Sequence, residues 1–372
     1  MRTVSLFDIC NPKQWKTISM EQLTDNGYPV YGANGKIGYY HSYTHERPTL
    51  LITCRGATCG TLNISEPFSY VNGNAMALDD LSSEVELHYL FFYLLNRNLN
   101  DVISGSAQPQ ITRTGLEKVK IPLPPLQIQK KIAAVLEKAD ELRRKREEQI
   151  KRLDDLLQAT FLDMFGDPVT NPKGWRIAAL SKFAEFENGD RSSNYPNKDD
   201  FVEEGILFLM SANIKNRKLD LSETRFITRE KFATLKNGRL RPNDIVFTLR
   251  GNGFGKCSIF DCKYDTGFIN AQMVIIRPIA INPTFLHAYL TSCEVYRKIR
   301  SMASGSAQPQ LTSGQLTELK VPLPPLEIQD SFAKTVDIIE RQKSVFDDLR
   351  RRGEILSSSL MQRAFKGELE LK

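Results

Sequence analysis

The residues best suited to chemistry are a run of cations, two glycine-rich turns, two cysteine pairs and four histidines. Ser211–Lys256 holds 11 Lys and Arg against 4 Asp and Glu. Within it, Lys215, Arg217, Lys218, Arg225, Arg229, Lys231, Arg239 and Arg241 alternate with Asn213, Asn216, Phe226 and Phe232. Lys and Arg neutralise phosphates, and Asn and Arg can reach base edges, so the run suits a surface that follows a nucleic-acid backbone. A solvated basic loop is the plainer alternative. The turns RGATCG (Arg55–Gly60) and GNGFG (Gly251–Gly255) invite a phosphate-cradle reading. GNGFG lacks the Lys-Ser/Thr pair of a P-loop, and a strand-like stretch follows it rather than a helix. Both turns read as hairpin tips. Beside Arg55 and Arg250 such tips can enter a DNA groove, because glycine permits close backbone approach.

Catalytic and metal chemistry find little support. Cys54 with Cys59 and Cys257 with Cys262 share a spacing, but no histidine follows at ligand distance, so buried thiols are expected and no metal. His41, His45, His88 and His287 form no nucleophile–base–acid pattern in the sequence. NPTF (Asn282–Phe285) is similar to the tetrapeptide that holds the target nitrogen in amino-methyltransferases, but its second proline is missing. Asn282 stands instead where a helix N-cap is expected. No carboxylate–lysine cluster suggests a nuclease, and no glycine-rich loop suits S-adenosylmethionine. The chain reads as one that binds.

The elements that must position these residues come in two copies. SGSAQPQ at Ser104–Gln110 returns at Ser304–Gln310, and KIPLPPLQIQ (Lys120–Gln129) returns as KVPLPPLEIQ (Lys320–Gln329), both displaced by 200 residues. TCRG (Thr53–Gly56) pairs with TLRG (Thr248–Gly251) at 195, and NPKQW (Asn11–Trp15) aligns with NPKGW (Asn171–Trp175) at 160. Seven identical residues in register mark a tandem duplication. On this alignment the second copy gains about 35 residues between its tryptophan and its TxRG element. Shared ends with divergent interiors suit one frame carrying two reading surfaces.

After each LPPL the pattern turns helical, free of Gly and Pro from Gln127 to about Asp163. Each helix would run ~37 residues, or ~55 Å at 1.5 Å per residue. Apolar residues at 3–4 spacing predict that the two helices pair as an antiparallel coiled coil. The pairing residues would be Ile132, Val135, Leu142 and Leu153 on the first helix, and Phe332, Ile339, Phe346, Leu349 and Leu356 on the second. Arg146 and Gly353 fall on the same stripes. The expected fold is α+β, with two globular domains alternating with two long helices: 1–126, 127–166, 167–326 and 327–372.

The chain has 372 residues and a net charge of +6, and that excess lies in 167–326, with 22 cations against 16 anions. Residues 1–126 hold 10 against 11. No apolar run is long enough to span a membrane, and the N-terminal stretch lacks the apolar core of a signal peptide, so a cytoplasmic location is expected.

The doubled GSAQPQ…PLPPLxIQ block followed by a long helix resembles the specificity subunits of type I restriction–modification systems. YGANGKIGYYH (Tyr31–His41) and the NPKxW segments add to the resemblance, which covers nearly the whole chain. It implies two target recognition domains held apart by two conserved helices. It also implies a split, asymmetric site on double-stranded DNA. Two methyltransferase subunits, which bring S-adenosylmethionine, and restriction subunits in the full complex are the implied partners. No cofactor and no catalytic residue are expected in this chain. The candidate readers are Asn34, Lys36, Arg55 and Thr58 for one half-site, and Asn213, Lys215, Arg217, Arg250 and Asn252 for the other. Gln108, Gln110, Gln308 and Gln310 belong to the shared block and suit a frame or backbone-contact role. The competing reading is a coiled-coil scaffold with two protein-binding domains and no sequence readout.

Overall fold

A computed structural model describes residues 2–105, 108–251, 253–305 and 309–369. The chain forms two compact units, Met1–Gln149 with Phe346–Lys372, and Ile150–Val345. Each unit takes the beginning of one long helix and the end of the other. The helices discussed below are α1 (Leu87–Arg97), α2 (Leu126–Phe165), α3 (Pro283–Thr291), α4 (Cys293–Met302) and α5 (Leu326–Lys366). None of the described helices is long and apolar enough to cross a membrane.

Both units are built on one four-stranded antiparallel sheet. In the first its order is Asn11–Gln14, Ala75–Asp79, Leu50–Thr53, Leu62–Ile64; in the second it is Ala184–Asn188, Met273–Pro278, Ile245–Thr248, Cys257–Ile259. The third strand of each is three apolar residues and a threonine, buried throughout, as expected of a strand covered on both faces. Each feeds a hairpin whose tip is the Arg-Gly turn, as the sequence suggested. The chain enters and leaves each unit side by side. Arg2–Ser5 pairs antiparallel with Lys120–Leu123, and Arg176–Ala179 with Lys320–Leu323.

This pairing corrects one alignment. Asn11–Gln14 is an edge strand of the main sheet, whereas Asn171–Trp175 is a turn between α2 and the opening strand of the second unit. Trp15 Nε1 donates to Asp79, while Trp175 Nε1 donates to the Phe165 carbonyl. The two NPKxW segments are therefore not equivalent, although their sequences match. The opening strands Arg2–Ser5 and Arg176–Ala179 are displaced by 174, so the second copy's insertion before the hairpin is about 21 residues (195 less 174) rather than 35. The insertion widens the companion sheet. That sheet has three strands in the first unit and five in the second, and both keep one parallel pair: Tyr28–Gly32 on Tyr70–Val71, and Ile206–Leu209 on Gly267–Ile269.

The repeated LPPLxIQ block has a definite task. Gln129 and Gln329 are buried. The Gln129 amide donates to the Glu84 and Pro124 carbonyls and accepts from Glu86 N–H, the N-cap residue of α1. Gln329 donates to the Pro324 carbonyl and accepts from Asn282 N–H, the N-cap residue of α3. Asn282 caps α3 as expected, accepting from Thr284 and Phe285 N–H. In each copy one glutamine thus fastens the start of a long helix to the start of a short one.

Within each unit the long-helix segments run antiparallel. In the first, Ile132, Ala133 and Leu136 of α2 share a cluster with Leu360, Met361 and Ala364 of α5, and Arg146 donates to the Leu349 carbonyl. In the second, Lys343 pairs with Asp154 at 2.6 Å, and Phe332 packs on Phe161 and Phe165. Phe332, Ile132 and Ile339 are buried, and Val135, Leu153 and Phe346 are half-buried. Leu142, Leu349 and Leu356 are corrected: they are 42, 38 and 59% exposed, and do not carry the pairing. A straight α-helix drifts from a strict 3.5-residue stripe. Near the limit of the first unit's segments, at Gln149 and Phe346, the contact between the helices is polar, from Arg146 to the Leu349 carbonyl. Arg146 lies over Gly353, where an added Cβ would come within 2.6 Å of its Nη1. That room accounts for a glycine in mid-helix, which otherwise costs ~1 kcal/mol relative to alanine.

Candidate functional site

The Arg-Gly hairpin tip of each unit is anchored by the repeated SGSAQPQ segment. Ile111 N–H donates to the Cys54 carbonyl and Gly56 N–H to the Pro109 carbonyl, leaving Arg55 bridged to Gln110. In the second unit Leu311 N–H donates to the Leu249 carbonyl and Arg250 is bridged to Gln310. The backbone next to Gln110 and Gln310 thus holds an arginine at equivalent points of two frames, while the glutamines' own backbones pair with Ser104 and Ser304. Gln308 and Asn252 lie outside the described residues.

In the first unit three of the four expected readers come together. The turn after Tyr28–Gly32 is tied to the hairpin, since Thr53 Oγ1 donates to the Ala33 carbonyl and Thr58 Oγ1 donates to Asn34 Oδ1. Asn34, Arg55 and Thr58 are exposed on this tip, and no carboxylate pairs with Arg55 among the described residues. The amide oxygen of Asn34 is engaged by Thr58, while the residue as a whole is exposed. Lys36 stands apart from them. Its ammonium is held at 3.3 Å by Glu66 and lies over the Tyr39 ring, so its charge is partly spent.

The second tip is built differently. Arg250 is half-buried and reaches the Ala271 carbonyl at 3.4 Å, where Arg191 also donates at 3.1 Å. Gln272 approaches Gly251, whose φ of +83° favours glycine. Arg191 and Gln272 thus join the tip, although neither stood out in the sequence. Arg191 lies outside the basic run, and Gln272 is brought in only by the pairing of Met273–Pro278 with Ile245–Thr248.

Two expectations from the basic run change. Asn213 is buried and fully engaged, donating to the Glu223 and Asp220 carbonyls and accepting from Met210 N–H. It latches the inserted loop, and its amide offers no free edge to a base. Much of the positive charge is also committed internally. Lys215 pairs with Asp220 at 2.5 Å, holding that carboxyl well below the usual carboxylate range. Lys218 pairs with Glu340, and Lys231 with Asp200. Arg239 stacks on Phe232 and satisfies the carbonyl of Leu235 at 2.6 Å. Composition counts charges but does not show which are already paired. Arg217 remains exposed at a hairpin turn.

Elsewhere, Thr44, His45 and Asp79 form a chain of hydrogen bonds that resembles a catalytic triad. Thr44 Oγ1 already accepts from Val71 N–H, Asp79 also accepts from Trp15, and the His45–Asp79 pair is almost wholly buried, so the chain fastens the fold. No group of three His, Cys, Asp or Glu suited to a metal is found among the described residues. All six cysteines are free, and burial raises the Cys10 thiol to about 12.

Comparison with known proteins agrees with this double frame. The family model for the type I restriction modification DNA specificity domain matches residues 1–152 and 172–345. A type I restriction enzyme specificity subunit of Methanocaldococcus jannaschii is 24% identical, covering 87% of this chain and 79% of its own length. A putative type I specificity subunit of Mycoplasma pneumoniae is 25% identical, covering 91% and 88%. Among solved structures, the S subunit of a type I system from M. genitalium is similar with a TM-score of 0.66 at 15% identity, covering 98% of this chain and 96% of that one. Two equivalent frames with different tips, matched in both halves by one specificity-domain model, lead to one conclusion. The chain belongs to the family of type I restriction–modification specificity subunits.

Proposed function

We propose that this chain is the DNA-recognition subunit of a methyltransferase or restriction complex, reading a bipartite, asymmetric site with its two hairpin tips. The observation that carries the proposal is the equivalent placing of Arg55 and Arg250 on like frames amid unlike neighbours. Asn34 and Thr58 flank the first arginine, and Arg191 and Gln272 the second. Arginine can pair with guanine and Asn or Gln with adenine in the major groove, so unlike tips read unlike half-sites. The two long helices would set the spacing between them.

The chain itself would supply no catalytic group. The target base would be modified by partner methyltransferase subunits that bring S-adenosylmethionine, with restriction subunits joining in the full assembly. The long helices offer faces for such partners: Leu142 and Leu156 on α2, and Ile338, Val345, Ile355 and Leu356 on α5, are exposed apolar residues. Exposed apolar side chains along a long helix suit burial by a partner chain. Two copies of one frame suit two copies of one partner.

The test is selection from a randomised duplex library with the assembled complex. Arg55→Ala should relax one half-site and Arg250→Ala the other, each by ~1–3 kcal/mol of discrimination. Selection of no motif by the wild-type complex would favour a scaffold instead.

A further inference from the structure

The second unit contains a groove of about 770 Å³. Its cations come from three places: Lys215 and Arg217 on the inserted hairpin, Lys256 just before the return strand Cys257–Ile259 of the Arg250 hairpin, and Arg297 on α4. Asp220 already engages Lys215, and Glu294 lies 3.8 Å from Arg297. Lys256 donates only to the Ser211 carbonyl, and neither it nor Arg217 has a carboxylate partner among the described residues.

The walls are tightly built. A Cβ on Gly255 would lie 2.5 Å from the Tyr296 ring, so α4 presses directly on the hairpin. The inserted hairpin turns through Asn216 and Arg217, both left-handed, with φ of 49° and 65°. Glycine is the usual residue at the second position of such a turn. An arginine kept there in an unfavourable conformation is better explained by its side chain than by its backbone.

We propose that this groove holds a phosphodiester strand of the DNA flanking the second half-site, adding affinity without reading sequence. The inference rests on the DNA-reading function proposed above. Arg250 and Lys256 share one hairpin, so a duplex engaged at the tip brings a phosphate strand to the hairpin's flank. Among its described residues the first unit has neither wall. Its chain passes from α1 into the single turn Asn100–Val102 where the second has α4, and it has no inserted hairpin. Its half-site would therefore be bound with fewer phosphates neutralised.

The experiment uses the full chain assembled with its methyltransferase subunits and measures binding to duplexes with and without the selected motif across a salt series. The triple variant Arg217→Gln, Lys256→Gln, Arg297→Gln should lower the slope of log affinity against log salt by about 2.7, at about 0.9 for each phosphate no longer neutralised. The ratio of cognate to non-cognate affinity should stay unchanged. Arg217→Gly should melt no lower than wild type yet bind DNA more weakly. An unchanged slope in a folded triple variant, with wild-type discrimination intact, would overturn the groove assignment alone. So would loss of methyltransferase association at an unchanged slope, which would identify an acidic protein surface as the occupant. A wild-type complex that ignores sequence would instead overturn the underlying DNA-reading function.

Discussion

Gln129 and Gln329 show how much one buried side chain can organise. Each satisfies backbone groups that the junction of two helices would otherwise leave unpaired. A buried donor or acceptor left without a partner costs ~1–3 kcal/mol. Gln129→Leu should therefore lower stability by ~2–4 kcal/mol in urea unfolding, with little change in side-chain volume. Asp190 provides a pH-dependent counterpart. Burial alone would raise its carboxyl, but hydrogen bonds from Ser192 and from the Lys236 and Asn237 backbone outweigh that and hold it at about 2. A carboxyl depressed below its unfolded value of ~3.9 stabilises the fold above that pH and loses the contribution as pH falls through the folded value. Asp190→Asn should cost ~1–2 kcal/mol at pH 6, and the gap to wild type should close between about pH 4 and pH 2. Thermal melts across that range check it.

Among the elements, the long helices separate residues that pair from residues that only share a stripe. Phe332 is buried against Phe161 and Phe165, so Phe332→Ala should cost ~3–5 kcal/mol. Leu356 is largely exposed, and Leu356→Ala should change stability by less than ~1 kcal/mol. Equal losses in denaturant unfolding would contradict this division. The same elements show what the sequence could and could not reveal. The SGSAQPQ and LPPLxIQ repeats were legible because identical residues perform identical tasks, an anchor for the hairpin and a latch for the helix. The hairpins and the Asn282 cap followed from strand patterning and capping chemistry. NPKxW misled because similar residues serve a sheet edge in one copy and a helix-to-strand turn in the other. Asn213 misled because a polar residue in a basic run gives no sign of burial. Arg191 and Gln272 escaped notice because only strand pairing brings them to the second tip.

At the level of the whole molecule, duplication would let one chain serve the asymmetric site proposed above. The two copies share a frame but differ in their interiors: the second has an insertion before its hairpin, and 167–326 carries a net +6 against −1 for 1–126. On the proposed function, one polypeptide would thereby present two like attachment frames to partners and two unlike tips to DNA. The most direct test of this account is methylation-sensitive sequencing of host DNA with the gene intact and deleted, while the partner methyltransferase is expressed. The account predicts that deletion removes one split, asymmetric methylation motif, whose two halves and spacer are then read directly from the data. A methylome unchanged by the deletion would contradict it.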